Sequence, residues 1–260
     1  MLNIISWNVK TAKSLKRRSR IKTWVSLNKP DILILQETLL PCCTDSIVKQ
    51  IWGSDSMEWR ALDSMGRSGG ILIIWNPNKV SIVDFIIGTF SINIHFVNNS
   101  DNFHWLLSGV YGPRDTNERK RLWKELTIMK AIWCLPWVVA GDFNTVLFMA
   151  ERKGCTRRDR GMKDFGKFCD HHELIDIPIA GAKYTWTSSS TSSNPHLSKL
   201  DRFLVLSDWE DHFLTINVTA LARPFSDHKP IILSCSYEDW GHLHSAVKLC
   251  GSWNLLSCLS

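Results

Sequence analysis

The chain has 260 residues, of which 44% are hydrophobic and 22% charged, so it has a globular composition and enough length to bury a large core. Its apolar runs are far shorter than the roughly 20 residues of a membrane-spanning helix, and Met1 leads directly into a strand-like run instead of a secretion signal. We therefore expect a soluble, intracellular protein that does not associate with membranes.

The eight cysteines show no C-x-x-C pair and no histidines at zinc-finger spacing, which argues against structural zinc. Because the chain is long and has no secretion signal, buried reduced thiols are favoured over a disulfide framework.

The net charge of +6 is concentrated in two basic runs, at residues 13–22 and 152–163. Clustered positive charge favours a polyanionic partner such as DNA, although each run alone also fits a solvated helix face or loop. Residues 16–18 also fit a nuclear localisation signal, although so short a basic motif has low specificity. The arginines of these runs that we expect to bind nucleic acid are Arg17, Arg18, Arg157 and Arg158.

The first half of the chain predicts mostly strands. Apolar runs at 2–7 and 32–37 predict two strands, with a helix around 20–27 between them. Turn formers separate the next apolar runs, which indicates consecutive, largely antiparallel strands. These runs lie at 69–75, 80–87, 90–97 and 105–111.

The second half mixes helices and strands. From Thr116 the apolar spacing predicts a helix of about four turns, on which charged residues including Arg119, Arg121 and Glu125 face water. Strands without regular alternation with helices indicate an α+β fold in one domain over residues 1–236. The other predicted elements are a strand at 137–141, helices at 163–174 and 204–213, strands at 216–221 and 231–235, an exposed loop at 188–195 and a poorly specified tail at 237–260.

Several apolar runs end or begin at a polar residue that could belong to a site. Each residue alone has a plainer interpretation: a turn or cap, a strand-end charge in water, a buried aromatic, or, for Asp201, an ion pair with Arg202. Together they suggest that polar groups are gathered at strand ends. The residues are Asn8, Glu37, Tyr111, Asp142, Asn144, Asp201, Asp227 and His228.

The chemistry of this set points to a phosphodiester. Carboxylate oxygens suit Mg²⁺, which fills its other positions with water and phosphate oxygens. Hydrolysis needs an activated water, stabilisation of charge on phosphorus and help for the leaving oxygen, and a cation with carboxylates and an imidazole supplies all three. The adjacent pair His171-His172 cannot chelate a metal together, because neighbouring helical side chains diverge by about 100°, so we assign it to the surface.

Six segments, in order, resemble the endonuclease/exonuclease/phosphatase superfamily, whose fold is DNase I-like. The segments are Ser6-Trp7-Asn8-Val9, Gln36-Glu37-Thr38, Gly109-Val110-Tyr111-Gly112-Pro113, Gly141-Asp142-Phe143-Asn144, Lys199-Leu200-Asp201-Arg202-Phe203-Leu204 and Ser226-Asp227-His228-Lys229-Pro230-Ile231. Further residues, including Tyr184-Thr185-Trp186 and Asp239-Trp240-Gly241, are similar to the apurinic-type endonuclease domain of plant non-LTR (LINE-type) retrotransposons.

The resemblance implies a four-layer α/β/β/α sandwich with a site at one sheet edge. It implies that Glu37, with Asn8 and Asp227, holds Mg²⁺, for which Mn²⁺ could substitute. Asp142 with Asn144 would position or deprotonate the attacking water, and Tyr111 would contact the phosphate or leaving group. Asp201 would orient His228, which as an imidazolium would stabilise charge on the phosphate.

The sequence departs from the family pattern at three places. Lys10 stands where many members have an acidic residue, which favours one metal ion over two. Arg114 stands where apurinic-site nucleases have a small amide, which argues against strict abasic-site specificity and makes Arg114 another candidate DNA contact. No reverse transcriptase follows, and residues 237–260 suggest truncation or an altered reading frame.

Three functions follow as hypotheses. The first is a Mg²⁺-dependent, monomeric DNA-nicking endonuclease. The second is a phosphatase or phosphodiesterase acting on a small phosphorylated molecule, since the same fold hosts such enzymes. The third is an inert retroelement remnant that binds nucleic acid without cutting it.

Overall fold

Two β-sheets packed face to face form the centre of the molecule, and helices cover their outer faces. The structure is a computed structural model that describes residues 1–64, 69–188 and 195–237. One sheet has seven strands in the order β10-β14-β15-β1-β2-β4-β3, and the other has six in the order β5-β6-β7-β8-β13-β9. The strands are β1 Leu2–Asn8, β2 Ile32–Gln36, β3 Glu58–Leu62, β4 Ile71–Trp75, β5 Val80–Ile87, β6 Ser91–Asn98, β7 His104–Tyr111, β8 Trp137–Asp142, β9 Ile175–Asp176, β10 Ile179–Ala180, β11 Trp186–Thr187, β12 Leu197–Ser198, β13 Asp201–Val205, β14 Thr215–Ala220 and β15 Ile231–Ser236.

The helices lie on the outside of the two sheets. Ser14 and Thr44 cap the first two helices by accepting backbone N–H groups that have no partner within the helix. These two helices pack on the seven-stranded sheet, and the third and fourth pack on the six-stranded sheet. The helices are α1 Leu15–Asn28, α2 Asp45–Trp52, α3 Thr116–Ile132, α4 Arg160–His171 and α5 Ser207–His212, with a 3₁₀ turn at Met149–Glu151.

Side chains along a strand point alternately to its two faces, and in the central strands both faces are buried, so these strands are continuous apolar runs in the sequence. On β2, Ile32 and Ile34 face the opposite sheet, whereas Leu33 and Leu35 face the helices. Both faces are therefore dry, and each fully buried aliphatic side chain contributes about 1.5–3 kcal/mol to stability. The predicted four-layer α/β/β/α sandwich of the α+β class is confirmed.

Several sequence-based boundaries and faces were wrong. Residues 204 and 205 end strand β13, so the predicted helix at 204–213 is limited to α5. The runs at 71–75 and 80–87 are consecutive in sequence but lie in different sheets, because β4 pairs with β2 and β3 whereas β5 pairs with β6. Helix α4 begins at Arg160, three residues before the predicted start, and α2 and β3 were not predicted.

Two charged residues of α3 do not face water as predicted. Arg119 is buried and donates to the carbonyls of Pro113 and Arg114, at 2.9 and 2.6 Å. Glu125 accepts hydrogen bonds from the N–H groups of Thr89 and Phe90. Both side chains therefore anchor loops to the helix.

No helix within the described ranges combines the length and hydropathy that crossing a membrane would require. The predicted loop at 188–195 lies almost entirely outside the described residues, as does the tail after Tyr237.

Candidate active site

The topology brings the polar strand ends to one edge of the sandwich. Strands β1 and β2 are parallel, as are β7 and β8, so Asn8 and Glu37 emerge at one end of the first sheet and Tyr111 and Asp142 at one end of the second. Strand β13 runs antiparallel to β8 and begins with Asp201 opposite Asp142. The ends of both sheets meet at this edge.

The same polar residues share the inner faces of the sheets. Asn8 follows Ile4 at a spacing of four along β1, and Asp201 precedes Phe203 at a spacing of two along β13; Ile4 and Phe203 both belong to the core between the sheets. Because side chains on a strand alternate with period two, the polar ends point into the gap between the sheets. The site therefore lies where the inter-sheet core opens to solvent.

Asn8 connects the carboxylates of the two sheets. Its Nδ2 donates to Glu37 Oε2 at 3.2 Å and to Asp142 Oδ2 at 2.9 Å, and its Oδ1 accepts from the N–H of Lys10 at 2.9 Å. In this arrangement Asn8 holds Glu37 and Asp142 next to each other, and its oxygen is used by the backbone.

Two site residues adopt a left-handed backbone that non-glycine residues rarely take. Glu37 has φ 52° and Asn144 has φ 50°. The Asn144 turn is fixed by its N–H, which donates to Asp142 Oδ1 at 2.9 Å, and by its Nδ2, which donates to the carbonyl of Gly112 at 2.7 Å. A Cβ on Gly112 would lie 2.3 Å from the Phe143 carbonyl oxygen, so only glycine permits this close approach.

His228 faces two buried carboxylates. Its Nδ1 donates to Asp201 at 2.9 and 3.2 Å, and its Nε2 lies 3.7 Å from Asp142 Oδ2. His228 is 4% exposed, and both aspartates are almost completely buried. The alternative that Asp201 pairs with Arg202 is wrong, since Arg202 lies on the other face of β13 and pairs with Glu151 and Asp176.

Burial and charge set the protonation of this group. Burial disfavours the imidazolium of His228, but Asp201 and Asp142 outweigh it and raise the pKa of His228 to about 9. Burial raises the pKa of Asp142 to about 6, against the opposing effect of His228. Near neutral pH the site therefore holds a carboxylate at Asp142 beside an imidazolium at His228.

Two hydroxyl side chains, to which the sequence analysis assigns no role, help to position His228 and Asp201. Ser226 Oγ donates to the Asn8 carbonyl at 2.7 Å and accepts from the His228 N–H at 3.1 Å. Thr185 Oγ1 accepts from the N–H groups of Leu200 and Asp201. Both are in the motifs quoted above, but a serine or threonine in a turn gives no indication in sequence that it supports a distant residue.

Tyr111 lies half-buried at the end of β7, near this group. Burial, together with the negative charge of Glu37 and Asp142, raises the pKa of Tyr111 well above its usual range. Its hydroxyl therefore stays protonated and able to donate a hydrogen bond.

Asp227 lies at the mouth of the site and already has a cationic partner. Lys10 Nζ lies 2.5 Å from Asp227 Oδ2, and Trp186 Nε1 donates to the same oxygen at 3.3 Å. Burial would raise the pKa of Asp227, but the hydrogen bond and charge of Lys10 hold it below its usual range. In the sequence, Lys10 stands out only as a difference from the family pattern. Its contact with Asp227, 217 positions away, is visible only in the fold.

The five predicted nucleic-acid contacts differ in how free their side chains are. Arg18 donates to Gln50 and to the carbonyls of Ala12 and Lys13, so its guanidinium is used to hold the loop before α1. Arg17 stacks on Phe225 at 4.7 Å, next to Ser226. The remaining three, Arg114, Arg157 and Arg158, are exposed.

The donor set of the site fits a hard divalent cation. Glu37, Asp142 and Asp227 offer carboxylate oxygens, the ligands that Mg²⁺ prefers. Asp142, Asp201 and His228 also present ligand atoms within 4.8 Å of one another, but the imidazole nitrogens already face the two carboxylates. Glu37 is the carboxylate best placed to reach an ion, since it lies half-exposed at the edge.

Comparison with known proteins gives one family and several similar folds. The sequence pattern of the Endonuclease/Exonuclease/phosphatase family matches residues 5–228. The endonuclease domain of TRAS1, a telomere-specific non-LTR retrotransposon, superposes with a TM-score of 0.69 at 12% identity, over 90% of this chain and 98% of that one. An AP endonuclease from Archaeoglobus fulgidus gives 0.68 at 16%, over 90% and 99%. A mannosyl-6-phosphatase from Bacteroides thetaiotaomicron gives 0.61 at 16%, over 90% and 99%.

Proposed function

This chain belongs to the Endonuclease/Exonuclease/phosphatase family, and we propose that within it the protein is a Mg²⁺-dependent endonuclease that nicks DNA. The observation that carries the proposal is a connected group of side chains: hydrogen bonds join Glu37, Asn8 and Asp142, a 3.7 Å charge contact joins Asp142 to His228, and His228 hydrogen bonds to Asp201. This group joins both sheets, and it places a base, the Asp142 carboxylate, next to the positively charged imidazolium of His228.

In the proposed reaction, Asp142 accepts a proton from the attacking water. Its Oδ1 is held by the Asn144 N–H and its Oδ2 by Asn8, so the carboxylate cannot rotate away. The water oxygen bonds to phosphorus while the bond to the leaving oxygen breaks. Because burial raises the pKa of Asp142 to about 6, this carboxylate is a stronger base than an exposed aspartate and is still ionised at neutral pH.

His228 supplies positive charge to the phosphate. Asp201 fixes the ring through Nδ1, which leaves Nε2–H facing Asp142 and the mouth of the site. A fixed donor in a water-excluded site stabilises developing charge without reorganisation. Tyr111, whose hydroxyl remains protonated, would donate to a phosphate or leaving-group oxygen.

Glu37, with Asn8 and Asp227, would hold the divalent ion. When bound, the ion would neutralise phosphate oxygens and polarise the reacting water. Glu37 is the principal candidate, because its hydrogen bond from Asn8 is long, at 3.2 Å, whereas the Asn8 oxygen accepts from the Lys10 N–H at 2.9 Å and Asp227 is paired with the Lys10 ammonium.

DNA as the substrate is supported by the basic surface around the edge. Arg17 lies beside Phe225, next to Ser226 of the site, while Arg157 and Arg158 are exposed on the loop before α4. Phosphate contacts by such residues make binding strongly salt-dependent.

The direct test is nicking of supercoiled plasmid by the purified protein with and without Mg²⁺. We expect nicked circles with Mg²⁺, none in EDTA, and none from Asp142→Asn. The control is His171→Gln, which removes an exposed imidazole on α4 and should nick like the wild type.

Other outcomes would identify the alternative functions. Release of phosphate from a small phosphomonoester, without nicking, would indicate a phosphatase. Salt-sensitive DNA binding without any magnesium-dependent hydrolysis would indicate an inert remnant.

A further inference from the structure

Four short backbone segments form a ribbon that extends outward from the active site. Arg152 is bridged to Ser198, Ser198 pairs with Trp186, and Trp186 is bridged to His228, each antiparallel. Neighbouring strands lie about 4.8 Å apart, so three steps place Arg152 about 15 Å from His228. Arg152 directly follows the 3₁₀ turn at Met149–Glu151, so the ribbon connects this turn to the active site.

This turn holds two large apolar side chains in water. Phe148 is 59% exposed and Met149 is 44% exposed. The Glu151 carboxylate accepts the N–H groups of Leu147 and Phe148, at 2.7 and 3.0 Å, which fixes the backbone of the turn. We call residues 147–151 the apolar turn.

A buried ionic cluster supports the apolar turn from below. Glu151 pairs with Arg202, which is completely buried and also pairs with Asp176. Lys199 lies 2.8 Å from Asp176 and 3.7 Å from Glu151. Since breaking a buried ion pair is costly, the turn is rigidly attached to β13, the strand that carries Asp201.

The surroundings of the apolar turn are cationic. The next twelve residues, 152–163, are the second basic run, in which Asp159 is the single acid. Arg152 lies 3.1 Å from Asp159, whereas Arg157 and Arg158 are exposed. The apolar turn thus presents exposed apolar side chains on a rigid support, flanked by cations. A nucleic acid is complementary to such a surface, because its phosphates are anionic and the faces of its bases are apolar.

We propose that Phe148 and Met149 form a wedge that enters a groove of duplex DNA and unstacks a base step to one side of the nicked phosphate. Apolar wedges of this kind bend the duplex and increase its contact with the protein. Phe148 follows Asn144 of the site by four residues, which span at most about 14 Å, so the unstacked step lies within about four base pairs at 3.4 Å per step. The inference rests on the proposed function, because it assigns duplex DNA to the same site.

The test uses short duplexes with 2-aminopurine at successive positions, whose fluorescence rises when its base is unstacked. The experiment runs in EDTA with full-length protein, so it does not depend on cleavage. We expect fluorescence to rise at one step within about four base pairs of the site that is nicked when Mg²⁺ is added. We expect Phe148→Ala/Met149→Ala to lose this signal and to bind the duplex about tenfold more weakly.

Two further variants separate a wedge from a general loss of apolar surface. Ile128→Ala/Ile132→Ala removes two side chains of α3 that are 56% and 52% exposed, and it should keep both the signal and the affinity. Phe148→Trp should keep the signal, since a larger aromatic ring still stacks. Because no charge is removed, the salt dependence of binding should stay the same in all variants.

Unchanged duplex affinity and fluorescence in Phe148→Ala/Met149→Ala would overturn the wedge, as would an equal loss in the α3 control. A change in self-association alone would also overturn it, because the turn would then be a protein contact. If the wild type shows the fluorescence signal but never nicks, the proposed function fails while the wedge stands.

Discussion

The molecule has a histidine–aspartate pair near each end of strand β15, and only one of them has the features of a site. Before the strand, His228 donates to Asp201 at 2.9 Å. Beyond its other end, Tyr237 contacts the pair of His212 and Asp101, whose side chains lie 3.0 Å apart. The pairs are alike in distance, so distance does not distinguish a catalytic pair from a structural one.

The two pairs differ in the third side chain that contacts each histidine–aspartate pair. His228 has a second carboxylate, Asp142, facing its other nitrogen, and the whole group is buried. At the far end the third group is the Tyr237 hydroxyl, which hydrogen bonds to Asp101, and the His212 ring stacks on Phe103 at 3.5 Å. The first arrangement buries a charged imidazole, that of His228, between two carboxylates. The second attaches Tyr237, at the end of β15, to the loop that carries Asp101 and to helix α5.

Replacing each histidine should give the largest contrast. We expect His228→Gln to lower plasmid nicking by about 10³-fold, since positioned acid, base and charge-stabilising groups contribute factors of this order. His212→Gln should nick within about twofold of the wild type, because no carboxylate of the site contacts it. Comparable losses in both variants, with circular dichroism confirming that both fold, would show that the comparison is wrong.

The role of Asp201 can be read from the pH dependence of nicking. The proposed reaction uses the Asp142 carboxylate and the His228 imidazolium, so the rate should rise through about pH 6 and fall through about pH 9. The alkaline limb reflects loss of the proton from His228, whose pKa is raised because Asp201 and Asp142 outweigh burial. In Asp201→Asn one of these carboxylates is gone, so we expect the alkaline limb to move to lower pH and the maximal rate to fall about 10²-fold.

A matched variant at the far end checks this interpretation. Asp101→Asn removes the carboxylate that contacts His212 and should leave both limbs in place. An unshifted alkaline limb in Asp201→Asn would mean that another group than His228 sets it.

Lys10 should affect metal binding more than it affects the fold. In Lys10→Ala, Asp227 loses its cationic partner and becomes available to a divalent ion, so we expect Mn²⁺ to bind severalfold more tightly, as measured by electron paramagnetic resonance. Lys49→Ala removes a lysine as exposed as Lys10 from its ion pair with Asp55, away from the site, and should leave Mn²⁺ affinity unchanged. Weaker Mn²⁺ binding in Lys10→Ala would indicate that Lys10 holds Asp227 in place for the ion.

The smallest effect is expected from the far end alone. Tyr237→Phe removes a hydroxyl that hydrogen bonds to Asp101 and lies 3.2 Å from His212 Nε2, and it should lower the free energy of unfolding by about 1 kcal/mol in a urea titration. Nicking should remain at the wild-type rate. A loss of activity larger than the loss of folded protein would connect the far end to catalysis.

The candidate site residues could be selected from the sequence because each ends or begins an apolar run within a recognisable motif. Asn8, Asp142, Asp201 and His228 fit this description, and the fold brings them together as two hydrogen-bonded pairs, Asn8–Asp142 and Asp201–His228, with a 3.7 Å charge contact between Asp142 and His228. Supporting groups could not be predicted: Thr185 and Ser226 act on residues 16 and 218 positions away, through hydroxyls that any turn could contain. The direction of Arg119 was predicted wrongly, because its helical spacing does not reveal the carbonyls that it binds.

The sequence by itself determined most of the strands and helices, the basic runs, the family motifs and the candidate site residues. These are local properties, set by the spacing of apolar residues and by the residues that end each run. The tertiary structure decided which face each strand end presents. In strands buried on both sides, such as Ile32–Gln36, both alternating sets are apolar, so sequence does not show which set faces the other sheet. Packing two twisted sheets against each other resolves that choice, and it thereby brings Asn8 to Asp142 and His228 to Asp201.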